Sequence, residues 1–314
     1  MEVRTTMSKD KVYILVNEQS GGGKGLHLSN EVTAYLSRVH IPYILFKTAY
    51  KEHAYSLTRR IAKEYCQQEN ILFLVIGGDG TLHEVIETLV SMNLHIPVGF
   101  IPAGTGNDFS RYFPSTKSPI SHLKKLLYAK ETIQVPILQT ENGIAINSFG
   151  VGFDAQVVAM TEQSLLKEKL NKIGLGFAVY FINVLRALFR FKTFTCTIET
   201  SSGITKTFNH AFLVCVMNNP YFGGGIYMEP SLSLMDNQFS IVVLHDVGFK
   251  DIIRFIPKLF QQKHLNDKVL FNHHDISATL HLPKHATMQI DGEVSATKTK
   301  EIKVSLASYP FWKI

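Results

Sequence analysis

The segment ILFLVIGGDGTLHEVIETLV, Ile71 to Val90, changes its hydrophobic period within five residues, and few folds accommodate that change. Ile71 to Ile76 is an unbroken apolar run of strand length, the pattern of a strand covered on both faces in a parallel sheet. Beyond it, Leu82, Val85, Ile86, Leu89 and Val90 recur at the three-and-four spacing of an amphipathic helix, with Glu84 and Glu87 on the other side. The segment therefore reads as strand, tight turn, helix. Gly77, Gly78 and Gly80 permit positive φ and leave no Cβ to obstruct a ligand, and the first helical turn offers unpaired backbone N–H groups. Such a corner suits a phosphate. Asp79 is the odd member, because a carboxylate there repels phosphate unless it holds a metal ion, accepts from a ribose hydroxyl or takes a proton. For this corner alone, an ordinary glycine turn capped by Asp79 or Thr81 is the competing reading.

The same alternation runs from Lys11 to about Val135: VYILV, a helix near Leu28–Val39, YILFK, a helix near Ala54–Tyr65, ILFLVI, the helix after Thr81, and VGFIP. This predicts an α/β domain with a parallel sheet over residues 1–135. From about Pro136 the segments become short strands with turns, among them GIAINSFGVG, TFTCTIET, HAFLVCVMN, FSIVVLH, ATLHLP, MQIDGEV and EIKVSL. Two helical insertions interrupt them, near Gln156–Arg190 and Phe249–Gln262. Residues 136–314 are thus expected to form a second, β-rich domain with a cleft before it, the C-terminal end returning to the first domain. With 314 residues and 45% hydrophobic content, the chain can bury two cores.

Two further glycine corners close strands of the first domain. VNEQSGGGKG, Val16–Gly25, has Ser20, Gly21, Gly22, Gly23 and Gly25 between strand and helix, with Lys24 placed to meet an anion. It is neither a Walker loop nor a full dinucleotide fingerprint. GFIPAGTGNDFSRYF, Gly99–Phe113, brackets Thr105 with Gly104 and Gly106, followed by Asn107, Asp108 and Arg111. Three such corners on one sheet are much less easily accidental than one. The net charge of +6 suits an anionic partner: nucleotide, nucleic acid or acidic membrane surface. No recognition helix or aromatic-basic patch supports nucleic acid. Cys66, Cys196 and Cys215 show neither metal spacing nor a disulfide set, and the polar start MEVRTTMSKDK lacks the apolar core of a signal peptide, so a cytoplasmic location is expected. The apolar stretch Ile173–Phe191 is broken by Asn183, Arg186 and Arg190 and reads as a helix rather than a membrane span.

With these motifs in order, the sequence resembles the lipid kinases with a diacylglycerol-kinase catalytic domain, including bacterial soluble diacylglycerol kinases, YegS-like lipid kinases and sphingosine kinases. The resemblance rests on Gly77-Gly78-Asp79-Gly80-Thr81, on Pro102–Phe109, on Asn147–Asp154, on Gly223-Gly224-Gly225 followed by Pro230, and on Ile290-Asp291-Gly292-Glu293. It implies ATP and Mg²⁺ as cofactors and a lipid acceptor at a membrane surface, with diacylglycerol as the first acceptor to consider. By the same resemblance ATP is held by Asn17, Ser20 and Gly21, by Thr48, by Gly77, Gly78, Asp79, Gly80, Thr81, Leu82 and His83, and by Gly104, Thr105 and Asn107. Glu18 departs from the family, which carries proline there. A structural Mg²⁺ is implied at Asp236 with the carbonyls of Ser233 and Gln238, Asn237 replacing the usual glycine. The base is implied in the Asp291–Glu293 turn, the two carboxylates not being separable from sequence, with Asp79 assisting through Mg²⁺. Many bacterial relatives are dimers, so the resemblance also allows a homodimer.

Two rival functions follow from the same residues. NAD kinases share the Gly-Gly-Asp-Gly-Thr corner, and a lipid- or nucleotide-binding regulatory protein without catalysis would fit the departures at Glu18 and Asn237. Asn272-His273-His274-Asp275 reads as solvated surface rather than a metal site, because adjacent histidines on a strand or loop point apart and no partner spacing supports a site. The helices Asp251–Lys263 and Gly174–Arg190 join apolar faces to Arg and Lys; core packing is their ordinary reading and a membrane surface the functional one.

Overall fold

The computed structural model describes residues 8–65, 70–111, 113, 118–153, 155–156, 192–233, 237–284, 286–296 and 299–314. Asp154, most of Gln156–Arg190, Cys66 and Asp236 lie outside them. The chain forms two compact units, Met1–Val135 with Ser308–Ile314, and Pro136–Ala307.

The first unit alternates β1 (Lys11–Val16), α1 (Ser20–Arg38), β2 (Tyr43–Lys47), α2 (His53–Tyr65), β3 (Ile71–Gly77), α3 (Asp79–Ser91), β4 (Val98–Pro102), α4 (Asp108–Arg111) and α5 (Pro119–Tyr128). All pairings among these strands are parallel, β2 with β1, β1 with β3 and β3 with β4, giving the order 2-1-3-4. β3 is buried along its whole length, which explains its lack of alternation. The C-terminal segment adds Phe311 beside Val98, again in parallel, and the Tyr309 hydroxyl donates to the carbonyls of Leu94 and Ile96. The strand order reverses between β1 and β3, and in such sheets ligands bind where loops leave the carboxyl ends at the reversal.

Glu84 and Glu87 of α3 both reach α2. Glu84 is buried and accepts the Ala54 backbone N–H at 3.0 Å, at the start of α2, while Glu87 accepts the Tyr55 hydroxyl at 2.6 Å. The polar side of α3 is therefore an interface with α2. α5 was not apparent from hydrophobic runs, yet its start is signalled locally: Ser118 caps the Ser121 N–H, and Pro119 opens the helix.

The chain enters the second unit along β5 (Thr132–Thr140). There follow β6 (Gly143–Ala145), β7 (Ser148–Gly152), β8 (Phe194–Thr200), β9 (Thr205–Met217), β10 (Tyr221–Phe222), β11 (Ile226–Tyr227), β12 (Phe239–His245), α6 (Phe249–Phe260), β13 (Leu270–Asp275), β14 (Ser277–His281), β15 (Thr287–Ile290), β16 (Glu293–Ala296) and β17 (Glu301–Trp312). The long β9 organises the sheet. Its first half pairs with β8, and its second half lies between β7 and β12, all antiparallel. Val214 and Val216 of β9 and Ile241 and Val243 of β12 enter one core, while Cys215, Met217, Val242 and Leu244 enter another on the opposite face. Both faces are covered, so these strands read as continuous apolar runs. The helix α6 helps cover the second core through Phe255 and Leu259.

The Asn272–Asp275 segment is not solvated surface but the end of β13, paired in register with β12. Asn272 donates to the buried carboxylate of Glu229 at 2.6 Å, His273 meets Ser202 at 3.0 Å, and His274 meets Ser231 and Gln238, each at 3.1 Å. The two imidazoles do point apart, each into a separate polar network. Among the described residues no group of three or more His, Cys, Asp or Glu side chains is arranged to hold a metal ion.

Candidate functional site

In the first unit three corners converge on the reversal between β1 and β3. The Asn17 N–H donates to the Ile76 carbonyl at 2.9 Å, and its side-chain amide donates to the Thr81 hydroxyl at 3.2 Å, joining the first corner to the second. The second and third corners touch backbone to backbone: Ala103 N–H donates to Gly77 carbonyl at 2.7 Å, and a Cβ on Gly104 would stand 2.7 Å from Gly78 Cα. The first corner presses on the third at Gly21, where φ is +58° and a Cβ would fall 2.2 Å from the Ala103 carbonyl oxygen. Contacts this close exclude any side chain, so glycine at Gly21 and Gly104 is a steric requirement. Thr48 follows β2, with its N–H on the Val16 carbonyl at 2.9 Å, and Ser20 donates its N–H to Asn17 at 3.1 Å.

Other glycines face outward. Nothing lies within 4 Å of the Cβ position at Gly22, Gly23 or Gly80. α3 starts with Gly78 as its N-cap, and no side chain caps it. An uncapped helix start beside open glycine backbone is a place where an anion gains both hydrogen bonds and a favourable dipole. Lys24 and Thr105 are exposed, and Thr81 is buried against Asn17. Leu82 and His83 are buried, His83 lying 3.3 Å from Glu87, so their side chains serve the packing of α3. Glu18, the departure from the family pattern, forms an ion pair with Lys47 at 2.8 Å. The sequence reading overlooked Lys47; its position at the end of β2, next to Thr48, was the available signal.

Asp79 ties the second corner to the third. Its two oxygens accept the N–H groups of Asp108 and Phe109, at 3.0 and 3.2 Å, and so anchor the start of α4. Asn107 completes that loop with φ +51° and a side-chain donation to the Gly104 carbonyl at 2.7 Å.

In the second unit, β15 and β16 form a hairpin whose two-residue loop is Asp291-Gly292, with φ of 48° and 88°. Positive φ at both positions is the requirement of the tight hairpin turn that matches strand twist, and Asp-Gly meets it. The Asp291 carboxylate accepts three consecutive N–H groups, of Ile146, Asn147 and Ser148, at 2.7, 2.8 and 3.0 Å. Asn147 in turn accepts a hydrogen bond from the buried Asn219 amide. Glu293, the next residue but one, is half-buried, and its carboxylate has no hydrogen-bond partner among the described residues. Of the implied metal ligands, Asp236 lies outside the described residues and Ser233 is exposed, while the Gln238 side chain is engaged with His274. Asn237 has φ +50°, the left-handed geometry that its replacement of glycine demands.

The diacylglycerol kinase catalytic domain matches residues 11–139, and the YegS C-terminal NAD kinase beta sandwich-like domain matches residues 147–307. "Putative lipid kinase YtlR" of Bacillus subtilis is 30% identical over 298 residues, covering 91% of this chain and 94% of that protein. A Bacillus subtilis protein named "Diacylglycerol kinase" is 25% identical over 232 residues, 74% of each chain. A crystal structure described as a putative diacylglycerol kinase from Bacillus anthracis superposes with a TM-score of 0.76 at 22% identity, covering 98% of this chain and 99% of that one, and shares the fold. The parallel α/β unit with three glycine corners and the β-rich unit with its Asp-Gly-Glu turn thus identify the chain as a member of the diacylglycerol-kinase-like lipid kinase family.

Proposed function

We propose that the protein transfers the γ-phosphoryl group of ATP to a lipid hydroxyl, with diacylglycerol as acceptor and phosphatidic acid as product. The observation that carries the nucleotide half is the meeting of three backbone corners at the uncapped start of α3. Asn17, Ser20, Gly21, Thr48, Gly77, Gly78, Gly80, Thr81, Gly104, Thr105 and Asn107 would hold the triphosphate and its nucleoside, chiefly through backbone N–H groups and short hydroxyls. The open space beyond Gly22, Gly23 and Gly80 fits an oxygen-rich group in close approach to backbone. Neutralised by Lys47, Glu18 is compatible with a nearby anion. ATP with Mg²⁺ supplies the phosphoryl group and screens its charge.

In the second unit, we assign proton acceptance from the lipid hydroxyl to Glu293 and the positioning of the turn to Asp291. A base needs lone pairs that are not already committed, and Glu293 has them. The Asp291 oxygens instead hold three backbone donors. Asp79 positions the third corner, and its assistance through Mg²⁺ and the structural Mg²⁺ at Asp236 belong to this proposal as family expectations. Among the described residues no helix is long and apolar enough to cross a membrane. We propose peripheral association with the cytoplasmic face of the membrane. Acceptance of diacylglycerol is supported by the relative that bears that name.

The test is phosphate transfer from labelled ATP and Mg²⁺ to diacylglycerol, phosphatidylglycerol, sphingosine and ceramide in mixed micelles, with NAD as a soluble control. Labelled phosphatidic acid is expected, and a chelator should abolish it. Label on another lipid would move the acceptor and keep the chemistry. Label on NAD alone would replace the reading with an NAD kinase, and ATP binding without transfer would favour a regulatory protein.

A further inference from the structure

Eight large apolar side chains are exposed among the described residues, and four of them lie on α6. Phe249, Ile253, Ile256 and Phe260 are 64%, 59%, 43% and 74% exposed. At about 100° per residue they fall within an arc of roughly 60°, a single stripe about 16 Å long. The stripe is separate from the face that packs inward, where Phe255 is buried and Leu259 joins the adjoining core. The helix therefore carries two apolar faces, one packed inward and one largely exposed.

The surrounding charge is one-sided. Between Gly248 and Lys268 five cations, Lys250, Arg254, Lys258, Lys263 and Lys268, stand against the two carboxylates Asp251 and Asp267. Arg254 and Lys258 are clamped on Asp267 at 2.8 and 2.7 Å, which fixes the cationic flank against the helix. Lys250 and Lys263, beside the first and last turns, are exposed and have no carboxylate partner among the described residues.

We propose that α6 is a docking surface for an anionic lipid bilayer, lying in the membrane plane with Phe249, Ile253, Ile256 and Phe260 among the acyl chains. Lys250 and Lys263, beside the two ends of the stripe, then meet the headgroups. A helix with an apolar stripe and a basic flank gains from both acyl burial and headgroup charge. The charge selects this occupant over a second copy of the chain: a twofold contact through the stripe would set like-charged flanks beside each other, whereas anionic lipid neutralises them. The proposal rests on the lipid-kinase reading for its biological sense, since the acceptor lies in a bilayer. Its test is independent of that reading.

The test is flotation of the purified full chain with vesicles of phosphatidylcholine alone and of phosphatidylcholine mixed with phosphatidylglycerol. Wild type should float with the mixed vesicles, and less so as salt rises. Ile253→Ser with Phe260→Ser should lower partitioning by about a hundredfold, from the apolar area withdrawn from the acyl layer. Lys250→Glu with Lys263→Glu should remove the preference for phosphatidylglycerol. Both variants replace exposed residues, and their melting temperatures and transfer to micellar lipid should match wild type. No wild-type flotation, or equal flotation by the variants, would overturn the proposal. So would a concentration-dependent dimer abolished by the apolar variant with vesicle binding unchanged. Lost flotation with transfer to micellar lipid intact supports the docking surface; wild-type failure to float while it phosphorylates micellar lipid refutes docking alone; docking without phosphorylation of any lipid refutes the kinase reading alone.

Discussion

Each unit contains an aspartate followed by glycine at the end of a strand, and the two are used alike although their surroundings share no secondary structure. Asp79 opens a helix in a parallel α/β unit, and Asp291 turns a hairpin in an antiparallel one. Both nevertheless spend their carboxylates on consecutive backbone N–H groups of another segment, two at the start of α4 for Asp79 and three leading into β7 for Asp291. The difference lies in what is left beside the clip. Next to Asp79 stands open glycine backbone suited to an anion, while next to Asp291 stands a second carboxylate, Glu293, with no hydrogen-bond partner among the described residues. The pairing teaches that a motif's acidic residue can be its scaffold, with the chemistry left to its neighbour.

Removing the larger clip should hurt most. Asp291→Ala strands three partly buried donors, and a stability loss of about 3 kcal/mol is expected, read as a lower denaturant midpoint with faster hydrogen exchange at Ile146–Ser148. Asp79→Ala releases two donors and should cost about 2 kcal/mol, with faster exchange confined to Asp108 and Phe109. If either variant melted like wild type, its aspartate would not be a clip. Gly80→Ala sharpens the contrast from the other side: the added methyl meets nothing within 4 Å and favours the helix, so stability should rise by about 0.5 kcal/mol. Calorimetric titration should nevertheless show weaker ATP binding. Unchanged affinity would move the phosphates away from α3.

Acid should separate the units more gently. In the first unit, burial first and Lys125 second hold the His122 imidazole down to about 4 from 6.5. The folded state resists this proton, so the contribution is complete above pH 6.5 and is lost as pH falls through about 4. In the second unit, burial alone would raise the carboxyl of Asp267, but hydrogen bonds from Lys258 and Arg254 outweigh it and hold the group at about 2. Glu229 and Asp275 are likewise held below their usual range against burial, by side-chain donors that include Ser231, Ser240 and Asn272 for the first and Ser201 and Ser202 for the second. These contributions are complete above about pH 5 and are lost as pH falls through the unfolded carboxylate range toward the lower folded values. Hydrogen exchange at stepped pH should therefore weaken α5 before β12 and β13; the opposite order would contradict these assignments.

Much of the fold was legible because strands covered on both faces are unalternating apolar runs, as β1, β3 and β12 are, and because glycine clusters mark where such strands end. β13 was hidden. Its Asn-His-His-Asp tail looks solvated, and the partners that bury it, Glu229, Ser201 and Ser202, are over 40 residues away in sequence. The partners of the polar face of α3 were hidden for the same reason, since they lie on α2, about 30 residues earlier. At the candidate site the glycine corners could be read from spacing, because steric need for glycine is local. The distinction between Asp291 and Glu293 could not, because it depends on N–H groups more than 140 positions earlier in the chain.

Turnover and melting temperature measured together on Glu293→Gln test the central division between clip and chemistry most directly. Glu293 holds no backbone donor among the described residues, so stability should stay within about 0.5 kcal/mol of wild type. Transfer to diacylglycerol should meanwhile fall by about a hundredfold or more, the usual contribution of a positioned base. Near wild-type turnover in that variant, or a loss of turnover matched by a loss of fold, would contradict the account.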